Sequence, residues 1–382
     1  MTASDIALRA VTIRADLEQI AGAWLDLHLD SEPRRFCQDP YWCLRIWDRL
    51  EATPGRRPAV VVGCVEGRIR LIWPLVTFRS RLWRVTRGLS ENLADYDDIL
   101  VAEAAEADRW RRAAWDFAMA TFRPDMMMFR RIAAGSGLDR VIPEGRTAWQ
   151  RPSISLYVDF RGEMSWDSYF RTINKATRKS WRRGRNWLSR FGEIRYEAID
   201  DPAMATDLIE WMLARKHERL GSLARSSREK TEAAAFARDI PFLREVARHA
   251  VRTSQMTVLR LCAGEHMVAI DTVLTGGRRA VGWLHAYDQR FLPAAPGHIV
   301  CTESLAWARA QGYDLFDLMP EPEPYKRQWT DRSYPVRDVR VAATGWGKVL
   351  VTWHRSSLRT IALGLYMRAP RPIQIAIRRL FR

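Results

Sequence analysis

The reading of this chain turns on residues 256–319. They run MTVLRLCAGEHMVAIDTVLTGGRRAVGWLHAY (256–287) and, after a loop, PGHIVCTESLAWARA (296–310) and QGYDLFDLM (311–319). Apolar and β-branched runs at 256–262, 266–275 and 278–287 are separated by Ala263-Gly264-Glu265 and Gly276-Gly277, so they predict a three-strand meander. Pro296-Gly297 opens a helix over 298–310. Gln311-Gly312 stops it, because glycine accepts the left-handed conformation that follows a helix. A strand at 313–319 completes the unit.

The same order occurs nearer the N-terminus. Runs at 59–65 and 68–78 flank the turn pair Glu66-Gly67, a loop contains Leu93-Ala94-Asp95-Tyr96-Asp97-Asp98, a helical pattern covers 103–122, and a strand follows at 126–132. Meander, loop, helix and strand thus appear twice, which implies a structural duplication with its joint near 133–152. Three helical stretches lie between the copies, at 166–191, 203–220 and 231–251. Residues 221–228 are polar and read as a surface loop. The expected fold class is α+β, with mixed central sheets flanked by helices. The expected domains are 1–150, 151–345 and a basic segment at 346–382.

Composition narrows the class. The chain has 382 residues, 47% hydrophobic and 28% charged, with 17 Trp, which supplies enough apolar surface to exclude intrinsic disorder. No stretch reaches the ~20 apolar residues of a membrane span and the N-terminus lacks an apolar signal core, so a cytoplasmic protein is expected. The five cysteines show no CxxC pair and the seven histidines are dispersed, so neither a disulfide framework nor a metal site is expected. The net charge of +16 is concentrated: residues 165–195 carry 9 basic against 2 acidic side chains, and 346–382 carry 8 basic and no acidic ones. Such segments suit either solvated helix faces or an anionic partner. In 346–382 the cations alternate with large apolar residues, a composition that fits peripheral contact with an anionic membrane or helices packed on the catalytic domain.

Two places invite chemistry. At Pro293-Ala294-Ala295-Pro296-Gly297-His298, small residues lead into a helix N-terminus, whose free amides and partial positive charge suit a pyrophosphate. At Phe316-Asp317-Leu318-Met319, a carboxylate ends a core strand and is followed by Tyr325-Lys326-Arg327-Gln328-Trp329, where an ammonium could serve an oxyanion, a phosphate or a structural salt bridge. Cys301, three residues after His298, is read as packing.

With these residues in view, the sequence resembles a known family. The basic run 173–183, from Ile173-Asn174-Lys175 to Trp181-Arg182-Arg183, is similar to the helix that opens the catalytic domain in the CelD/BcsL-type branch of the GNAT acyltransferases, a branch named for cellulose and exopolysaccharide biosynthesis. Tyr287-Asp288, Pro296-Gly297, Phe316-Asp317, Tyr325-Lys326 and Trp329 resemble its later signatures in the same order, and Asp95-Tyr96-Asp97-Asp98 its first acidic motif. The resemblance spans about residues 10–345 and lies in the order of individually weak motifs. It implies a tandem GNAT-like (acyl-CoA N-acyltransferase) fold related to the Fem-type peptidyltransferases, with the transfer site in the second unit.

The activity so implied is transfer of an acyl group from acetyl-CoA or a longer acyl-CoA, without a metal, to an amine or hydroxyl of a small or saccharide acceptor. The alternatives are an aminoacyl-tRNA donor, as in Fem-type relatives, and a non-catalytic basic tether at a membrane or RNA. On this reading Asp317 or Asp97 is the base, Lys326 stabilises negative charge, and Tyr325 or Tyr287 protonates the leaving sulfur. Pro296, Gly297, His298 and Tyr287 hold the donor, while Asn174, Arg178, Arg182 and Trp329 hold the acceptor or its phosphates.

Overall fold

The computed structural model describes residues 6–80, 83–90, 93, 95–162, 165–355 and Pro370. Apart from Pro370, the expected helices beyond residue 355 lie outside the described residues. In chain order the first half contains β1 (Ala7–Val11), α1 (Arg14–Leu29), α2 (Pro40–Glu51), β2 (Arg56–Val65), β3 (Arg68–Ser80), β4 (Trp83–Gly88), β5 (Leu100–Val101), α3 (Ala107–Phe122) and β6 (Met126–Ala133). Then come β7 (Thr147–Asp159), α4 (Trp166–Thr172), α5 (Lys175–Leu188), β8 (Ile194–Ile199), α6 (Pro202–Leu223) and α7 (Ser227–Arg252). The chain continues through β9 (Met256–Ala263), β10 (His266–Gly276), β11 (Arg279–Tyr287), α8 (Pro296–Ala310), β12 (Leu315–Pro320), β13 (Ser333–Ala342) and α9 (Gly345–Arg355).

The chain divides into two compact units. Among the described residues, one comprises 6–31, Cys37–Ser153 and 335–355; the other comprises Glu32–Phe36 and Ile154–Tyr334.

Each unit repeats one topology. In the first, β1, β2, β3 and β4 pair antiparallel in sequence, and β6 returns through α3 to lie parallel to β4. In the second, β8, β9, β10 and β11 pair antiparallel, and β12 returns through α8 parallel to β11. A parallel neighbour needs such a crossover, because a tight turn can only reverse the chain. The sixth strands are exchanged. β7 follows β6 in the chain but pairs antiparallel with β12, while β13 follows β12 but pairs antiparallel with β6.

Two local readings are corrected. The expected single helix at 166–191 is two, α4 and α5, because Asn174 stops being helical and caps α5 by accepting the Thr177 amide at 2.8 Å. The expected loop at 221–228 shrinks to the few residues between α6 and α7. Ser226 and Glu229 form a reciprocal capping box there, which starts α7 early.

The core of the first unit is built on Trp73, 1% exposed, with ring centroids 5.9 Å from Trp115 and 5.8 Å from Phe129. Trp73→Ala is expected to destabilise the protein by about 3–5 kcal/mol, the usual cost of truncating a buried Trp. Urea unfolding monitored by circular dichroism would show it as a lower midpoint.

Candidate active site

Parallel pairing between β11 and β12 is short. Arg279, Ala280 and Val281 face Leu315, Phe316 and Asp317, and the ladder ends there, although β11 stays paired with β10 as far as Tyr287. β12 turns away because its pairing with β7 shifts register between Asp317 and Pro320, where Met319 takes a positive φ of 65°. β11 is itself irregular at this level: the register against β10 jumps from Leu284 to Gly282, leaving Trp283 as an extra residue. The result is an unpaired strand edge over the last part of β11.

The expected pair Asp317 and Lys326 holds this divergence in place. Asp317 is 1% exposed and accepts from Ser155 Oγ at 2.9 Å, the Met319 amide at 2.8 Å, Tyr334 OH at 2.6 Å and Arg279 Nη1 at 3.4 Å. Lys326 Nζ donates to the carbonyls of Met319 at 3.1 Å, Pro320 at 3.2 Å and Glu321 at 3.1 Å. An ammonium has three protons, and these three carbonyls engage them. Met319 and Glu321 both lie at positive φ, so the buried carboxylate and ammonium over-determine a strained turn at the end of β12.

A second polar group, which the sequence reading did not single out, lies beside β11. Asp271 on β10 stands directly opposite His285 on β11. The hydroxyl of Ser304 on α8 donates to Asp271 Oδ2 and shares a 2.7 Å hydrogen bond with Tyr196 OH. Lys216 on α6 donates to the His285 carbonyl at 3.4 Å. Burial dominates all three titrations. It raises the Asp271 carboxyl to about 6 against the Ser304 hydrogen bond, lowers Lys216 to about 8 with help from Arg219, and lowers His285 to about 3. His285 is therefore neutral in ordinary buffers, while Asp271 and Lys216 titrate on either side of neutrality. A motif search misses them because they come from β10, β11, α6 and α8, and no fixed spacing links them.

At the junction before α8 the Ala295 amide donates to the Leu292 carbonyl and the His298 amide to the Ala295 carbonyl, each at 2.9 Å. Ala295 takes a left-handed conformation, no side chain caps the helix, and Pro296 has no amide hydrogen to satisfy. Tyr287 lies against Gly297, where an added Cβ would meet its ring at 3.9 Å, and the Arg219 guanidinium lies 5.6 Å from the same ring. Arg219 Nε and His298 Nδ1 are buried without hydrogen-bond partners among the described residues. An orphaned donor beside a helix N-terminus suits an anion of the pyrophosphate class, so the residues present fit the phosphates of a CoA ester.

The remaining expected residues are dispersed around this unit. Trp329 is buried, donates to Thr302 Oγ1 at 3.1 Å and packs 5.4 Å from His298; the exposed Tyr325 packs on Trp329. Burial pushes the Tyr325 hydroxyl up, which keeps it protonated. Asn174 is occupied as a helix cap, Arg178 donates to the Ile173 carbonyl at 3.0 Å, and Arg182 is exposed.

Asp97 lies in the other unit, where it fills the corresponding divergence. There β4 and β6 also pair over three residues, Val85–Arg87 with Met126–Met128. Beyond them the Asp97 amide donates to the Arg130 carbonyl at 3.0 Å and Asp97 Oδ2 accepts the Arg130 amide at 2.7 Å. A Cβ on Gly88 would stand 2.2 Å from Asp97 Oδ1, so the carboxylate occupies that gap. Burial raises its pKa to about 6, against the Arg130 hydrogen bond.

Residues 175–327 match the family described as Acetyltransferase (GNAT) domain. No curated protein matches the chain in sequence. Two solved structures share its fold. FemX matches over 87% of this chain and 96% of its own, at 10% identity and a TM-score of 0.51. The C-terminal DUF2156 domain of an Agrobacterium fabrum protein named as a lysylphosphatidylglycerol synthetase matches over 90% and 97%, at 12% identity and a TM-score of 0.51. The second unit thus contains a GNAT acetyltransferase domain, and the protein is an acyltransferase by class.

Among the described residues no three His, Cys, Asp or Glu side chains converge as a metal site, and no helix is long and apolar enough to cross a membrane.

The Asp271 shift gives a pH signature. In the unfolded chain this carboxyl loses its proton near 3.8, and in the folded protein near 6. Its contribution to stability is therefore complete below about pH 4 and lost as pH rises through about 6. Asp271→Asn is expected to melt above wild type at pH 7.5, by an amount corresponding to about 2–3 kcal/mol, and level with it at pH 4. Thermal denaturation at the two pH values checks this.

Proposed function

We propose that this protein transfers an acyl group from acyl-CoA to an amine or hydroxyl of a saccharide or cell-envelope precursor. The observation that carries the donor half is the unpaired edge of β11 beside the uncapped N-terminus of α8, with Arg219 Nε as an orphaned buried donor. The saccharide half rests on the resemblance to the polysaccharide-associated GNAT branch.

In this reading the acyl carbonyl lies along the β11 edge, and the α8 N-terminus with Arg219 holds the donor phosphates. Acyl transfer needs a base for the acceptor proton and an acid for the departing thiolate. Asp271, at about 6, is ionised at neutral pH and suits the first task; Lys216, at about 8, is largely protonated and suits the second. The acceptor proton passes to the Asp271 carboxylate, the acceptor oxygen or nitrogen bonds to the acyl carbon, and the carbon–sulfur bond breaks as Lys216 supplies a proton to sulfur. Asp317 and Lys326 keep β12 apart from β11. Asp97, buried in the other unit, takes no part.

A thermal-shift titration tests the donor. Acetyl-CoA or a longer acyl-CoA at a hundred times its dissociation constant should add about 2.7 kcal/mol of stability. Arg219→Ala should weaken that shift, and Asp271→Asn should keep the shift while losing turnover. If no CoA ester shifts the wild type, the donor assignment fails and an aminoacyl-tRNA donor takes its place.

A further inference from the structure

From a surface patch on the second unit we infer that this unit docks on an anionic lipid bilayer through the C-terminal end of α5 and the turn before α8. Two large apolar side chains are exposed there, Phe191 at 40% and Leu292 at 52%. Phe191 belongs to an aromatic cluster, packing 4.9 Å from Trp187 and 5.4 Å from Phe291, and Leu292 follows Phe291 in the chain. Trp187 itself is half-buried.

Cations neighbour this cluster in the chain. Arg183 and Trp187 lie four apart on α5 and share a helical face, Arg182 precedes Arg183, and Arg190 lies two residues beyond the end of α5. Arg182, Arg183 and Arg190 are exposed and make no ion pair among the described residues. Within 166–191 the sole carboxylate is Asp167, at the opposite end of the segment. Two exposed carboxylates flank the cluster: Glu193, two residues after Phe191, and Glu265, next to His266, whose ring lies 5.9 Å from Phe191. Asp288, ahead of the turn, is neutralised by Arg290 at 2.7 Å.

Exposed apolar side chains next to unpaired arginines match a membrane interface, where side chains enter the acyl boundary and guanidinium groups meet phosphate. Bare cations would suit RNA as well, but an exposed leucine gains nothing from a nucleic acid, which rewards aromatic stacking and backbone charge. The turn that carries Leu292 leads into α8, so docking would place the donor corner at the lipid surface. Resting on the acyltransferase reading, this makes the acceptor an amine or hydroxyl displayed on the membrane, such as a lipid head group or a lipid-linked saccharide.

Co-sedimentation of the full chain with vesicles tests the docking without using turnover, so it stands or falls apart from the proposed activity. The wild type should pellet with phosphatidylglycerol/phosphatidylcholine vesicles and stay soluble with phosphatidylcholine alone. Arg183→Glu with Arg190→Glu should cut the partition coefficient at least about 25-fold, roughly fivefold for each arginine removed. Phe191→Ser with Leu292→Ser should cut it about tenfold, and unchanged circular dichroism would show that both variants fold. Pelleting of both folded variants at wild-type levels would overturn the inference and place any contact elsewhere, for instance in 346–382. A wild type that ignores anionic vesicles, with or without affinity for RNA, would overturn it too.

Discussion

The second unit depends on how two parallel strands part. A parallel pair joined by a helical crossover would ordinarily continue its ladder for the length of both strands, and each broken rung leaves a backbone donor or acceptor in need of another partner. Here β11 and β12 stop after three pairs. The parting is enforced from the β12 side: Asp317 binds Ser155 on β7 and Tyr334 on β13, and Lys326 gathers three carbonyls of the turn that follows. These are buried charges whose hydrogen bonds are satisfied, so removing the groups that bind either one leaves that charge with an uncompensated desolvation cost. The strained turn persists because both ends of it are held.

The same parting exists in the first unit, with the opposite outcome. There a loop runs into the gap, and Asp97 exchanges two hydrogen bonds with the backbone of Arg130. One topology thus produces one divergence that is filled and one that leaves a strand edge unpaired. Duplication gave the chain two such sites, and the plug distinguishes them without any change in strand order.

Much of this was legible in the sequence, and the part that was not has a physical reason. The meander at 256–287, the Pro296 helix start and the Gly312 stop were readable, because periodicity and turn chemistry are local. The repeat of that order also revealed the duplication. Strand exchange was not readable, since β7 and β13 carry no signal that says which β-strand each will join; pairing over that distance is decided by which edges remain open. Asp317 and Lys326 were found because strand-end carboxylates and aromatic-lysine pairs stand out in a sequence. Sequence could not show that their hydrogen-bonding capacity is taken up by the backbone and by Ser155 and Tyr334. Asp271, His285, Ser304 and Lys216 come from four elements and share no spacing, and what sets them apart is burial, which composition does not report.

That group differs from Asp317 and Lys326 in its hydrogen bonding. Asp317 is engaged by amide, hydroxyl and guanidinium donors, and Lys326 by three carbonyls of the turn. Asp271 has few such partners, and Lys216 faces one distant carbonyl. Desolvation therefore moves both toward their neutral forms and brings their titrations within about two units of one another. Under-satisfied buried groups are costly to a fold. The strongly bonded pair holds the two strands apart, and the weakly bonded pair lies beside the edge that this leaves.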